Sequence, residues 1–108
     1  MDTEARLNEM HAELCKVFTS PTRIHILMLL REKERSVREL SEEVGLPQPN
    51  VSQHLGVMRA RGILTVRKEG TTAYYRVSNP KVLKAFDIIR EVLHENLAAG
   101  ARLTKGAR

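Results

Sequence analysis

Among the 108 residues there is one cysteine, no tryptophan, and only two tyrosines and two phenylalanines. A lone Cys15 excludes an internal disulfide and any all-cysteine metal site within one chain, and it fits a reducing compartment. So few aromatics leave little material for a cofactor pocket. No glycine-rich phosphate loop occurs, and no nucleophile, base and orienting acid stand in a recognisable arrangement. Neither a cofactor nor a catalytic activity is therefore expected. The longest purely apolar run, Ile26-Leu27-Met28-Leu29-Leu30, falls far short of the roughly 20 residues that cross a bilayer, so no membrane segment is expected. The first residues, Met1-Asp2-Thr3-Glu4, are acidic and lack the apolar stretch and small residues of a secretory signal. A cytoplasmic location is expected. No internal repeat or low-complexity tract is visible.

The apolar fraction of 42% and the charged fraction of 29% are those of an ordinary folded protein. The length suffices for one domain with a real core and not for two. Eighteen Lys and Arg against thirteen Asp and Glu leave +5, which favours polyanionic partners without identifying one. The expected division is a folded unit over residues 1–98 and a flexible basic tail over residues 99–108, where Ala, Gly, Lys and Arg have little to bury.

Periodicity predicts five helices. Leu7, Met10, Leu14 and Val17 draw one stripe along a helix over residues 3–18. Ser20-Pro21 supplies an N-cap and a first-turn proline for a second helix, whose segment 24–30 is apolar on nearly every side and should form the buried centre. Ser36-Val37-Arg38-Glu39 has the pattern of a capping box, and the stripe Val37, Leu40, Val44 stops at Gly45, a residue suited to a left-handed helix end. Pro47 blocks continuation and Pro49 can open a fourth helix, which runs to Arg61 before Gly62. Residues 63–68 and 72–77 carry β-branched and aromatic side chains and read as a hairpin across Glu69-Gly70-Thr71. Asn79-Pro80 begins a fifth helix with the stripe Val82, Phe86, Ile89, Leu93, Leu97, expected to end near Leu97.

Two short helices joined by a glycine turn, the second of them polar on one face, followed by a hairpin, make a winged helix-turn-helix. The fold class is mainly α (α+β), with five helices and a two-stranded hairpin wing. The fourth helix buries Val51, Leu55 and Met58 and turns Asn50, Ser52, Gln53, His54 and Arg59 outward. Between residues 46 and 78 the basic residues are Arg59, Arg61, Arg67, Lys68 and Arg76 and the only acid is Glu69, whereas residues 1–34 are net acidic. Charge gathers where a phosphate backbone would lie. Gln and Asn pair bidentately with adenine, and Ser and His make single bonds to base edges or phosphates, so Gln48, Ser52, Gln53 and His54 suit base readout. Arg59, Arg67, Lys68 and Arg76 suit phosphates. A polar helix face is often merely wet, but the hairpin and the charge placement favour double-stranded DNA. The rival reading is a winged helix used as a protein-interaction module, which would predict acids or apolar patches on the fourth helix.

Three segments carry a family resemblance: Phe18-Thr19-Ser20-Pro21-Thr22-Arg23-Ile24-His25-Ile26-Leu27, Val51-Ser52-Gln53-His54-Leu55, and the wing with Gly70 and Tyr74-Tyr75-Arg76. Together they resemble the ArsR-type winged-helix transcriptional regulators, over about residues 5–97. The resemblance implies a homodimer joined by the first and last helices, here through Leu7, Met10, Leu14, Phe86, Ile89 and Leu93. It also implies a repressor that leaves a pseudo-palindromic operator when an inducer binds. The apolar stripes on those two helices agree with such an interface on their own account, being larger than a monomer of this size readily covers.

The chain departs from the family pattern in four places. Where many members carry metal-binding thiolates on the helix before the turn, this sequence reads Arg38-Glu39-Leu40-Ser41-Glu42-Glu43-Val44. The spaced Asp and His ligands of another subgroup are missing from the last helix, where Ile88 and Ile89 follow Asp87 and only His94 and Glu95 lie nearby. The usual hydroxyl residue after Gln48 is Pro49, and the wing tip holds Thr71-Thr72 where a basic residue is common. His11 and Cys15, four apart on the first helix, share an edge and are the candidate sensor pair. Two ligands are too few for a tetrahedral ion, and a partly buried structural cysteine beside a surface histidine is the plainer expectation. No metal site is assigned, and the inducer is not specified by the sequence.

Overall fold

Side chains that accept from free backbone amides mark where the early helices begin. In a computed structural model, which describes the backbone of residues 2–107 and the side chains of residues 2–100, Asp2 accepts from the Glu4 amide and opens α1 (Thr3–Val17). Ser20 accepts from the Arg23 amide and opens α2 (Pro21–Glu32). After a two-residue strand β1 (Arg35–Ser36), Ser36 and Glu39 complete the expected capping box of α3 (Val37–Val44), each side chain accepting from the other's amide. Such caps satisfy donors that a helix leaves free, typically worth about 1 kcal/mol each. Gly45 ends α3 at φ 71°, a left-handed conformation that glycine adopts without strain. Its amide donates to the Ser41 carbonyl at 2.9 Å, and the Ser41 hydroxyl donates to the Leu46 carbonyl, which fixes the turn into the next helix.

That helix, α4 (Gln48–Ala60), starts one position before the expected Pro49, because Pro47 itself serves as N-cap. β2 (Leu64–Glu69) and β3 (Thr72–Val77) then pair antiparallel from Leu64↔Val77 to Glu69↔Thr72, around Gly70 at φ 63°. The expected two-stranded hairpin wing is thus present, and the sheet gains one strand beyond it. β1 adds to the other edge of β3, with Arg35 opposite Tyr75 and Ser36 opposite Tyr74, so the sheet has three strands in the order β1-β3-β2. Two residues are too few to show a period of two, and the third strand arises from tertiary pairing. The Arg35 side chain holds this short strand in place: Nε donates to the Leu29 carbonyl, and the guanidinium pairs with Glu32 at 3.2 Å and Glu43 at 3.6 Å.

The chain divides into two compact units, Met1–Ser78 and Asn79–Arg108. The core of the first is Ile26, Leu27 and Leu30 of α2, Leu40 of α3, Val51, Leu55 and Met58 of α4, and Ile63 and Leu64 beside the sheet. The expected central place of α2 and the expected inward stripe of α4 both hold. In the second unit α5 (Lys81–Ala107) begins after Asn79, whose side chain accepts from the Lys81 amide at 3.0 Å. It continues past the expected end near Leu97. Gly100 is the lone breaker there, and Ala98, Ala99 and Ala101 around it are the best helix formers. Side chains beyond residue 100, and with them much of the expected flexible basic tail, lie outside the described residues. No helix among the described residues is long and apolar enough to cross a membrane.

Candidate nucleic-acid interface

The face of α4 opposite its core stripe is open. Gln48, Pro49, Asn50, Ser52, Gln53, Gly56 and Arg59 are all exposed, while Val51, Leu55 and Met58 are fully buried. Helical spacing alone produces this division. Among the described residues the side chains of Gln48, Asn50, Ser52, Gln53 and Arg59 have no hydrogen-bond or ion-pair partner, so their donors and acceptors are available to a ligand. No side chain caps the N-terminus of α4. An open groove of about 610 Å³ lies between α3, the start of α4 and the wing tip, and brings Gln48 together with Thr71, Thr72, Arg38 and Tyr74. The expected reading helix and wing tip thus form one surface.

Three of the expected contact residues, Arg67, His54 and Arg76, are held within the chain. Arg67 pairs with Glu34 at 2.5 Å and Glu69 at 2.8 Å, and its guanidinium lies 4.9 Å from the centre of the Tyr74 ring. The two carboxylates push the Arg67 pKa up, and the Arg67 hydrogen bond holds Glu34 below its usual 4.5. Its charge is already compensated within the chain, so the expected phosphate contact would have to displace these carboxylates. Arg61, counted with the same basic cluster, pairs with Glu13 of α1 at 3.0 Å. His54 is half-buried instead of fully outward, and its Nδ1 accepts from Arg23 Nε at 3.1 Å. Burial first, and then the Arg23 charge, hold its pKa below the usual 6.5. Lys68 is exposed and has no partner among the described residues, and the exposed Arg76 donates to the Thr65 hydroxyl at 3.1 Å.

Sequence reasoning missed the partners, Arg23, Glu34 and Glu13. Arg23 stood inside a quoted motif, but nothing in one dimension joins it to His54, 31 residues later. The expectation of a partly buried structural cysteine also fails. Cys15 is exposed, as is His11, because Val17 is the only buried residue that α1 contributes. Among the described residues no group of three or more His, Cys, Asp or Glu is placed to hold a metal ion.

The family model described as "Bacterial regulatory protein, arsR family" matches residues 20–66, which run from the cap of α2 into the wing. An uncharacterised HTH-type transcriptional regulator of Mycobacterium tuberculosis is 41% identical over 88 residues, covering 81% of this chain and 77% of that one. This chain belongs to the ArsR family. A crystal structure from M. tuberculosis superposes on the ArsR-family protein with a TM-score of 0.79 at 39% identity, over 85% of this chain and 93% of the other. The solution structure of a homodimeric winged helix-turn-helix DNA-binding domain from Mycobacterium bovis gives 0.82 at 30% identity, over 90% of each. The biofilm growth-associated repressor of Xylella fastidiosa is 40% identical over 80 residues, 74% of this chain and 69% of its own. Membership makes this ArsR-family chain a DNA-binding transcriptional regulator and not an enzyme.

Proposed function

We propose that the protein is a homodimeric repressor that reads a pseudo-palindromic duplex with α4 of each subunit in successive major grooves, and leaves it when an inducer binds. The observation that carries this reading is the open α4 face, where Gln48, Asn50, Ser52 and Gln53 have unused amide and hydroxyl groups above a fully buried stripe. Arg59, Lys68 and Arg76 supply phosphate contacts, Thr71 lines the groove wall without adding charge, and the exposed Pro49 stands beside Gln48 at the start of α4.

Dimerisation is supported by what the monomer leaves uncovered. Isolated helices of about 15 residues are marginal in water, yet α1 buries little beyond Val17 and exposes Leu7, Met10 and Leu14. Those three side chains line an open groove of about 1040 Å³ that runs to Ala60 and Arg61. On α5, Ile89 and Leu93 are about half exposed, and Ile88, Val92 and Leu97 join them. Phe86, expected in the same stripe, is half-buried. A second copy is the occupant in this reading, as in the neighbour whose structure is described as homodimeric. Repression follows the likeness to the X. fastidiosa repressor. Cys15, exposed four residues from His11, is the place where a thiol-directed inducer would act.

The test is selection of duplexes from a random pool, followed by binding measured across a salt series. A pseudo-palindrome with half-sites about one helical turn apart, bound with a linear fall of log affinity against log salt, is expected. No salt-dependent binding to any duplex would favour the protein-interaction reading.

A further inference from the structure

Arg23 joins three segments. Its backbone amide donates to Ser20 Oγ at 3.3 Å, Nη1 donates to the Val17 carbonyl at 3.3 Å at the end of α1, and Nε donates to His54 Nδ1 at 3.1 Å on α4. A guanidinium has only donors and stays protonated. The His54 nitrogen facing it must therefore be the unprotonated one, and the ring proton must sit on Nε2. We propose that Arg23 is a positioning residue for operator readout: it fixes His54 as the neutral Nε2–H tautomer, so that His54 offers DNA one donor and no acceptor. The Val17 bond keeps the guanidinium from swinging away, and its neighbour on the helix, the Ser20 cap, fixes the turn that carries it.

The consequence is a specificity rule. A donor-only histidine pairs with guanine N7 or O6, adenine N7 or thymine O4, and cannot accept from the amino groups of cytosine or adenine. An untethered imidazole could present either nitrogen after a ring flip and would discriminate less. Burial and the cation beside Nδ1 both oppose the imidazolium form, so this donor-only state persists at neutral pH. The inference rests on the proposed DNA reading for its consequence and on the Arg23–His54 geometry alone for the tautomer.

Two measurements separate those parts. Long-range proton–nitrogen NMR of the free full-length protein should show His54 solely as Nε2–H, and Arg23→Met should add the Nδ1–H form. A wild-type Nδ1–H signal overturns the inference whether or not DNA is bound. On the selected operator, Arg23→Met should weaken binding about fivefold and flatten the preference at one base pair of each half-site. In a His54→Ala background the same change should have no further effect. A loss that persists undiminished in that background, or that is equal at every base pair, would show that Arg23 acts only as a structural tie.

Discussion

Gly56 sits in the interior of α4 on its exposed face, without a positive φ and with open space where a Cβ would stand. Gly45 has the same open space but a φ of 71°. Replacing each by alanine therefore isolates backbone conformation, because neither new methyl meets a neighbour within 4 Å. In a helix interior Gly→Ala removes unfolded-state freedom and should stabilise by about 0.5–1 kcal/mol. At Gly45 the left-handed conformation costs an alanine about 1–2 kcal/mol, which outweighs the same entropic gain. Thermal unfolding should show Gly56→Ala several degrees above wild type and Gly45→Ala below it, since 1 kcal/mol moves the midpoint of a domain of this size by about 4–8 °C. All three proteins must be compared at one concentration, as the midpoint of the proposed dimer would depend on it. A fall in stability for Gly56→Ala, or equal shifts for both, would refute the assignment of α4 as an unstrained helix whose outer face is free of intrachain contacts.

Ile89→Glu with Leu93→Glu should split the proposed dimer, because burying unpaired carboxylates costs several kcal/mol; light scattering should give twice the chain mass for wild type and the single-chain mass for the variant. Gln53→Ala should lose about 1–3 kcal/mol at particular base pairs, whereas Lys68→Ala should weaken all duplexes alike and lower the salt slope by about one; a competition series on cognate and scrambled DNA distinguishes them. Acid should destabilise the fold in a defined window. Glu13 (through Lys16 and then Arg61), Glu34 (through Arg67) and Glu39 (through the Ser36 amide) all sit below the usual carboxylate value of 4.5 in the folded state. Their stabilising contribution is thus full above pH 4.5 and lost as pH falls through the lowered folded values. Urea midpoints between pH 3 and 6 should follow that slope, and Glu34→Gln should flatten it.

Local chemistry in the sequence determined most of the scaffold. Ser20, Ser36 with Glu39, and Gly45 act on amides and carbonyls within a few residues of themselves, so helix starts and the turn before α4 were legible without tertiary information. The period of α4 likewise separated Val51, Leu55 and Met58 from Gln53 and Ser52. What only the folded chain decided were pairings between residues far apart in sequence. β1 exists because β3 has an edge for it, 40 residues away at Arg35↔Tyr75, and two residues carry no periodic signal of their own. Sequence placed Arg67 and His54 on the correct elements, but Glu34 and Arg23, 33 and 31 residues distant, determine what each can offer a ligand. A side chain's type limits the bonds it can make; its three-dimensional neighbours decide which of those bonds are already made, and so which remain for DNA.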